Sequence, residues 1–356
     1  MDLVRPDTKK HEALERLEEL EELMTTYGGL TVVKILQRRH RPDYRTYIGK
    51  GKVEEIQALV KELNVSVVVI NNLLKPQQIY NLTEALKETK TTVWDRIDLI
   101  LQIFDKHAGT QEAKLQIELA KIRHMGPRIF GLGGEELARQ GGGIGTRGIG
   151  ETNTEIMKRH LRERERTIKS KLESTKSMRH QQRKNRKRQG LKTVSLVGYT
   201  NAGKTTLLNA LTGRKEYVAD KLFTTLDTRT GDLYLPHKQT SILISDTIGF
   251  IRDLPPELIQ AFTSTLSETV HADILLHVVD ASDPHREEHL RVVEEILKQL
   301  NIEELPLIYV LNKCDHLKSG EREHLHDLFS ERAHVIVSAS TTEGLPELIE
   351  KIEAMI

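Results

Sequence analysis

The chain has 356 residues, of which 38% are hydrophobic and 29% are charged, and its 53 basic side chains nearly balance 52 acidic ones. This length and composition indicate a soluble protein of about two folded domains. The single cysteine, Cys314, excludes an internal disulfide, and the sequence shows neither an apolar signal region nor a membrane-spanning run. We therefore expect a cytoplasmic protein in a reducing compartment.

The first third of the chain alternates between helical and strand patterns. In chain order these patterns predict a helix over 11–27, a strand over 30–36, a helix over 53–63, a strand over 65–70, a helix over 75–88 and a strand over 91–94. Such alternation is typical of a small open α/β sheet with mostly parallel strands. We assign residues 1–105 to this N-terminal α/β subdomain.

The turn Gly49-Lys50-Gly51-Lys52 within this region has two interpretations. Its glycines and lysines could bind a phosphate group, but the G-x-x-x-x-G-K spacing of a phosphate-binding loop is absent. A tight turn from a strand into a helix is the simpler interpretation.

Two long helical patterns follow. Apolar residues at helical spacing, including Ile100 and Leu115, predict a helix that begins at Asp95 and ends at Gly126-Pro127. A second pattern over about 151–188 carries a heptad-like stripe of Met157, Leu161, Ile168 and Leu172. Two long helices joined by one loop favour an antiparallel coiled coil, which we assign to residues 106–189.

The loop between these helices, 131–150, is too rich in glycine to bury a core of its own. Its backbone N–H groups, together with Arg128, Arg139 and Arg147, would form a clamp for nucleic-acid phosphates. A disordered connector is the alternative that composition leaves open.

The second helix carries most of the positive charge. Between Glu155 and Arg188 there are fourteen lysines and arginines but four glutamates, and the end, 179–188, contains no acidic residue. A run of this kind normally contacts polyanions, although a merely solvated helix surface would show the same composition. Because few aromatic residues accompany the charges, structured RNA recognised by shape and phosphates fits better than single strands.

A phosphate-binding loop begins after the apolar run 193–197. The segment fits G-x-x-x-x-G-K-T and consists of Gly198, Tyr199, Thr200, Asn201, Ala202, Gly203, Lys204 and Thr205, followed by Thr206. Backbone N–H groups of such a loop surround the β-phosphate, Lys204 reaches the β- and γ-phosphates, and the Thr205 hydroxyl holds Mg²⁺. This motif alone does not choose between ATP and GTP.

The choice of base is made by two later segments. Asp315, in the motif Asn312-Lys313-Cys314-Asp315, can accept hydrogen bonds from N1–H and the amino group of guanine, which adenine does not offer in that arrangement. Asn312 would tie this motif to the phosphate-binding loop, and the Lys313 stem would lie on the base. The further segment Ser338, Ala339 and Ser340 follows an apolar run, where a backbone N–H could meet the guanine carbonyl.

Two segments in between have the character of nucleotide-dependent switches. The first contains Phe223, Thr224, Thr225, Leu226 and Asp227, and the second contains Asp246, Thr247, Ile248 and Gly249. We expect Thr205, Thr225 and Asp246 to hold Mg²⁺, and Lys204, Thr225 and Gly249 to act in hydrolysis. The five elements together resemble the translation-factor-like P-loop GTPases, and they predict an α/β domain over 190–356 with a mostly parallel sheet and helices on both faces.

Phe250 follows Gly249 at the position where Ras-like GTPases carry a glutamine that orients the attacking water. Phenylalanine has no donor or acceptor for this task. We therefore expect slow hydrolysis by the protein alone, with the missing polar group supplied by the second switch, by a side chain near Thr225 or by a partner, the ribosome, that orders a mobile loop over 251–256. The alternative is that Phe250 only packs in the switch and that the water is placed adequately without help.

Five segments resemble the HflX family of GTPases. These are Tyr47-Ile-Gly-Lys-Gly-Lys-Val-Glu-Glu-Ile56, Asp95-Arg-Ile-Asp-Leu-Ile-Leu101, Lys114-Leu-Gln-Ile-Glu-Leu-Ala120, Gly141-Gly-Gly-Ile-Gly-Thr-Arg-Gly-Ile-Gly-Glu151 and Asp246-Thr-Ile-Gly-Phe-Ile-Arg-Asp-Leu-Pro255. The resemblance covers nearly the whole chain. Ile149 stands where the family usually has proline, Thr228-Arg-Thr-Gly231 replaces a proline-containing continuation, and the sequence ends without the C-terminal extension of some members.

The resemblance implies an N-terminal α/β subdomain, a two-helix coiled coil and a G domain. It also implies binding to the large ribosomal subunit, with rRNA phosphates on the loop 131–150 and the helix end 179–188, and a role in splitting or rescuing stalled ribosomes under stress. The sequence therefore predicts a cytoplasmic, ribosome-associated and monomeric GTPase that uses Mg²⁺ with GTP as substrate and GDP as product. Two alternatives stay open: a nucleic-acid-binding protein with GTP as a structural ligand, and a GTPase that regulates a protein partner without RNA.

Overall fold

The computed structural model of the chain describes residues 1–140, 153–214, 223, 229–252, 258 and 267–356. The predicted glycine segment 141–150, the switch residues Thr224, Thr225, Leu226 and Asp227, and most of the loop 251–256 lie outside the described residues. Two compact units are present: one consists of Met1–Lys106 and Lys114–Leu172, the other of His107–Ala113 and Glu173–Ile356. None of the helices described is both long and apolar enough to cross a membrane.

The first unit alternates strands and helices, as its sequence pattern predicts. Its elements are β1 (Asp2–Val4), α1 (Lys10–Tyr27), β2 (Leu36–Arg38), α2 (Lys50–Leu63), β3 (Val67–Ile70), α3 (Pro76–Ala85), β4 (Thr92–Asp95) and α4 (Arg96–His107). Strands β1 and β2 are parallel, as are β3 and β4. Met1 joins the two pairs, because its amino group donates to Val69 O at 2.9 Å and its carbonyl accepts from Asn71 N–H at 2.8 Å. The strand predicted over 30–36 was misplaced, since β2 begins at Leu36.

The turn at Gly49 leads directly into a helix. Helix α2 begins at Lys50, and the N–H of Gly49 donates to Gln37 Oε1 at 3.0 Å. Lys52 pairs with Glu55 at 2.5 Å. These contacts already engage the groups that a phosphate would need, so they favour the simpler of the two interpretations.

The helical prediction after Asp95 was wrong at two places. The chain forms α4 and then a separate helix α5 (Gln111–Gln140), and α5 continues through Gly126-Pro127. The first ten residues of the segment predicted as a loop, 131–140, are therefore helical.

Buried ion pairs on either side of this glycine-proline pair hold α5 in place. Arg128 donates to Asp98 Oδ2 at 2.5 Å and to Asp95 Oδ2 at 2.6 Å, and His124 Nε2 lies 3.2 Å from Asp95 Oδ1. Both aspartates are buried, and Arg128 is only 8% exposed. The prediction that Arg128 clamps nucleic-acid phosphates was therefore wrong, because its guanidinium is occupied inside the protein. Although this cluster includes three possible metal ligands, the guanidinium of Arg128 already donates to a carboxylate oxygen of each aspartate.

Helices α5 and α6 (Asn153–Arg188) are antiparallel. Glu112 pairs with Arg179 at 2.8 Å, whereas Arg123, further along α5, pairs with Glu165 at 3.3 Å, earlier in α6. Apolar contacts within the pair come from Leu115, Leu119 and Ile168, with Ile122 and Leu172 packed against them. Met157, the first residue of the predicted stripe, is 44% exposed and lies outside this core.

The second unit contains a six-stranded sheet. After α6 its elements are β5 (Thr193–Gly198), α7 (Lys204–Thr212), β6 (Arg229–Leu235), β7 (Thr240–Asp246), α8 (Ser267–Val270), β8 (Ile274–Asp280), α9 (Arg286–Gln299), β9 (Leu307–Asn312), α10 (Glu321–Leu328), β10 (His334–Ile336) and α11 (Leu345–Met355). The strand order is β10-β9-β8-β5-β7-β6, and β6 against β7 is the antiparallel pairing among the described strands. The α/β fold class predicted from the sequence is confirmed. Parallel strands β5, β7, β8 and β9 place their carboxyl ends at one edge of the sheet, where ligands of such folds bind.

Candidate functional site

The phosphate-binding loop connects β5 to α7 at this edge of the sheet. Gly203 has φ +89°, and a Cβ at this position would lie 2.3 Å from Nδ2 of Asn312. Only glycine fits both the backbone conformation and the space. Thr206 occupies the third position of α7, and Asn201 is exposed in the loop with φ +61°. The loop therefore presents its backbone at the start of a helix, as the bound phosphates of a nucleotide require.

Lys204 is buried at the centre of the loop. Its Nζ donates to the carbonyl oxygens of Tyr199 at 2.7 Å and Gly198 at 3.1 Å. Burial lowers the pKa of Lys204 to about 8, although the nearby Asp246 acts in the opposite direction. Without a phosphate, the ammonium group is thus stabilised only modestly by its surroundings. Phosphate oxygens placed beside it would favour the charged form.

We predict that nucleotide affinity depends on the protonation of Lys204. A bound nucleotide raises the pKa of this lysine above its value of about 8 in the free protein. GDP affinity should therefore be constant below pH 8 and should fall, by up to about tenfold per pH unit, as the pH rises above that value. Titration calorimetry from pH 7 to 9.5 measures this dependence.

The matched variant for this measurement is Lys204→Gln, which should bind GDP more weakly at every pH and without the lysine-dependent component. Ionisation of the nucleotide itself affects both proteins equally, so the difference between them isolates Lys204. Parallel pH profiles for the two proteins would contradict the prediction.

Thr205 and Asp246 bring two oxygen ligands together. The Thr205 hydroxyl donates to Asp246 Oδ2 at 2.7 Å, and both residues are buried. Asp246 ends β7, beside β5, and Thr247 Oγ1 donates to the carbonyl of Leu196 at 2.7 Å, which fixes the start of the second switch. A hydroxyl and a carboxylate are hard oxygen donors, and such a pair fits Mg²⁺. The third predicted ligand, Thr225, lies outside the described residues.

The second switch is tied to the phosphate-binding loop by backbone bonds that the motifs did not predict. Thr200 N–H donates to Phe250 O at 2.8 Å, and Phe250 N–H donates to Gly198 O at 3.1 Å. A Cβ on Gly249 would lie 2.9 Å from Thr200 Cα and 3.0 Å from Lys204 Nζ. Gly249 thus leaves room beside the lysine, where the γ-phosphate would be sensed. The Phe250 ring is 1% exposed and packs inside the protein.

Residues 251 and 252 begin the segment predicted as a mobile loop, but both are buried. Arg252 forms an ion pair with Glu288 at 3.1 Å, and its N–H donates to the Tyr199 hydroxyl at 3.0 Å. Tyr199 also stacks on His289 with ring centroids 3.7 Å apart. Contacts with α9 therefore hold the start of this segment against the phosphate-binding loop, and the mobility of the loop stays a prediction.

The guanine-reading segments meet through Asn312. Its Nδ2 donates to the carbonyl of Ala202 at 2.9 Å, and its Oδ1 accepts from the N–H of Ala339 at 3.0 Å. One buried side chain therefore joins the phosphate-binding loop to both base-reading segments. These segments are far apart in the sequence, and the structure brings them together at Asn312, as its motif predicts.

Asp315 and Lys313 are both positioned by neighbouring side chains. A hydrogen bond from Ser338 lowers the pKa of Asp315, and Ser340 Oγ also donates to this carboxylate at 3.3 Å. Ser338 and Ser340 are themselves within 2.9 Å of each other. Lys313 Nζ pairs with Asp280 at 2.7 Å. Asp280 was missed by sequence reasoning, although its place at the end of β8 was a usable signal. The carboxylate of Asp315 thus stays ionised at neutral pH and able to accept from guanine.

Phe223 is the one described residue of the first switch. Its side chain is 3% exposed, and its φ of +55° is unusual for a bulky residue. Ile248 is also buried, in the second switch. Neither side chain can accept or donate hydrogen bonds, so any contact with a nucleotide would be made by their backbone.

A buried lysine in a strand-loop-helix turn, a threonine-aspartate pair beside it and the ionised carboxylate of Asp315 are the features of a P-loop GTPase. Family models extend this result over most of the chain. The model described as GTP-binding GTPase N-terminal matches residues 14–105, the GTP-binding GTPase Middle Region matches 107–186, and the 50S ribosome-binding GTPase matches 193–313.

Curated relatives give the particular family. The GTPase HflX of Caldanaerobacter subterraneus subsp. tengcongensis is 44% identical over 339 residues, which cover 95% of this chain and 76% of the relative. That of Escherichia coli is 41% identical over 339 residues, covering 95% of this chain and 78% of the relative. The chain belongs to the HflX family of GTPases, and the resemblance predicted from five segments is confirmed.

Solved structures agree with this assignment. The crystal structure of the SsGBP and GDP complex has a TM-score of 0.56 and 27% identity, covering 99% of this chain and 97% of the other. A GTP-binding protein from Sulfolobus solfataricus in complex with GDP has a TM-score of 0.50 and 26% identity over the same shares. The GTPase activity predicted from the sequence is confirmed by the family. The domain boundaries and the roles of individual site residues stay predictions.

Proposed function

We propose that this protein is a GTP-dependent switch that binds the large ribosomal subunit and splits or rescues stalled ribosomes under stress. The observation that carries this proposal is the match of residues 193–313, which include the whole phosphate-binding loop, to a 50S ribosome-binding GTPase. The net charge of the helix end 179–188, which holds basic but no acidic residues, supports contact with rRNA phosphates. We place the protein in the cytoplasm as a ribosome-associated monomer.

In this proposal each group of the site has one role. The backbone of 198–203 and Lys204 bind the phosphates, while Asn312, Asp315 and Ala339 select guanine. Thr205 and Thr225 would hold Mg²⁺, with Asp246 contributing through water, and the ion would supply positive charge for the β- and γ-phosphates. Gly249 reports the γ-phosphate to the second switch.

Phe250 explains why the ribosome would stimulate hydrolysis. Its ring is buried, and no polar side chain stands at this position to orient the attacking water. We therefore propose that the partner supplies or orders the missing group, so that binding becomes the trigger for hydrolysis.

Single-turnover GTP hydrolysis with and without purified large subunits tests the proposal. We expect slow hydrolysis alone and an acceleration of at least about tenfold with large subunits, equivalent to roughly 1.4 kcal/mol of barrier lowering. Small subunits at the same concentration are the control and should have no comparable effect. Binding without stimulation would favour a nucleic-acid-binding protein with structural GTP, and neither binding nor stimulation would favour a switch for a protein partner.

A further inference from the structure

A basic cleft lies in the second unit where α6 ends and β5 begins. Its volume is about 590 Å³, which is within the usual range of ligand-binding pockets. Residues from three parts of the chain line it: the last turns of α6, the connection 190–193 and the turn before β8. None of these residues belongs to the nucleotide site described above.

The walls of the cleft are fixed by hydrogen bonds. Gly190, with φ +70°, lies in the turn after α6, and Leu191 N–H donates back to Arg186 O at 3.1 Å. On the opposite wall, Asp273 accepts from Thr193 N–H at 2.8 Å and from Lys192 Nζ at 3.1 Å. The cleft is therefore a defined shape and not merely a gap beside a projecting helix.

The charge of the lining is strongly positive. Arg183, Lys184 and Arg186 come from α6 and Lys192 from the connection, whereas Asp273 is the one carboxylate among the lining residues. Basic residues in the last turn of a helix also stabilise its dipole, which is sufficient reason for Arg186 to be there. That reason does not apply to Lys192, which lies beyond the helix, lines the same cleft and pairs there with Asp273 at 3.1 Å.

The cleft lies far from the phosphate-binding loop. Thr193 begins β5 and Gly198 ends it, and five residue steps of about 3.3 Å place the two ends roughly 17 Å apart. A ligand of the cleft would therefore not compete with GTP.

We propose that this cleft binds backbone phosphates of RNA, with positive groups converging on them from α6 and from the connection to β5. The inference rests on the proposed ribosomal function and gives it a specific contact. A general attraction between RNA and the basic run 179–188 would depend on neither Lys192 nor Asp273. Binding in the cleft requires Lys192, and the carboxylate of Asp273 should weaken it.

A pair of double variants tests which lysines matter. Lys184→Gln with Lys192→Gln removes two charges from the cleft, and Lys171→Gln with Lys176→Gln removes two charges from the same helix before the basic run 179–188. We expect cosedimentation with purified large subunits to weaken strongly for the first pair, and its log–log salt slope to fall by about 1.4 to 1.8. The second pair should change the slope by less than half as much.

Asp273→Asn gives a prediction of opposite sign. Hydrogen bonds from Thr193 and Lys192 more than offset the effect of burial and lower the pKa of Asp273, so this carboxylate is charged at neutral pH. The asparagine can still accept from Thr193, but it no longer repels a phosphate. We expect affinity for large subunits to rise about threefold at low salt.

These measurements distinguish RNA binding in the cleft from ribosome binding by the protein in general. Equal losses of subunit binding in both double variants would overturn the proposal that the cleft binds RNA, and so would unchanged or weaker binding by Asp273→Asn. Either result would leave ribosome binding by the basic helix intact. Absence of binding by the unmodified protein would overturn both. GDP affinity should be unchanged in all three variants, and this measurement confirms that the second unit is folded.

Discussion

Asp315→Asn is expected to lower the affinity for GTP by about a hundredfold to a thousandfold and to raise the affinity for xanthosine triphosphate. A carboxylate at this position accepts from two donors of guanine, and charge-assisted hydrogen bonds contribute about 1.5 to 3 kcal/mol each. The asparagine amide can instead donate to the oxygen that xanthine carries in place of the amino group. Titration calorimetry with both nucleotides measures the exchange.

The surroundings of Asp315 should tolerate this substitution without rearranging. Asp315 is held by Ser338 and Ser340, and an asparagine of the same shape can keep an acceptor toward these hydroxyls. Asp232→Asn, on an exposed position of β6, is the matched control and should bind GTP normally. If Asp315→Asn binds GTP as tightly as the unmodified protein, the guanine assignment is wrong.

The nucleotide site was largely predictable because its motifs are local. A glycine that must adopt φ > 0, a lysine and a threonine at fixed spacing, and a strand before them are all visible in one short segment. The contact between Asn312 and the phosphate-binding loop could be predicted from the motif that contains Asn312. The structure shows this contact as a hydrogen bond from Asn312 to the carbonyl of Ala202. The spacing of residues within a motif does not show which side chains from distant elements come into contact.

Contacts between distant elements account for what was missed. Tyr199 stacks on His289 and Lys313 pairs with Asp280. Each contact joins a loop residue to a separate helix or strand, and neither pair has a motif. The same cause explains the wrong helix end at Gly126-Pro127. Glycine and proline normally end a helix, but buried contacts of Arg128 outweigh that local preference.

Arg128→Met is expected to destabilise the first unit by about 3 to 5 kcal/mol, because it removes the guanidinium that pairs with the buried carboxylates of both Asp95 and Asp98. Burial by itself disfavours the charged form of Asp98, but hydrogen bonds and charge from His124 and Arg128 lower its pKa below the usual value. Hydrogen bonds from both aspartates likewise outweigh burial at His124 and raise its pKa. Removing the guanidinium takes away both its charge and its hydrogen bond to Asp98.

Hydrogen exchange of backbone amides in α4 and in residues 114–126 of α5 measures this effect where it occurs. A loss of 3 to 5 kcal/mol corresponds to a decrease in protection of roughly two to three and a half powers of ten. Local exchange is preferable to a melting temperature, since a chain with two units does not unfold in one step. GDP affinity should remain unchanged, because the nucleotide site lies in the other unit.

Arg123→Met is the matched control for this substitution, on the same helix five residues earlier. Arg123 is exposed and pairs with Glu165 at 3.3 Å, so its removal should cost no more than about 1 kcal/mol.

The sign of the pH dependence of stability adds a second check. The lowered pKa of Asp98 contributes stability above the usual aspartate pKa near 3.8, and this contribution is lost as the pH falls. In Arg128→Met the unpaired carboxylates become easier to protonate, so the difference from the unmodified protein should shrink between pH 7 and pH 4. Equal exchange in the two variants, or a difference that does not change with pH, would show that the buried pairs do not hold α5.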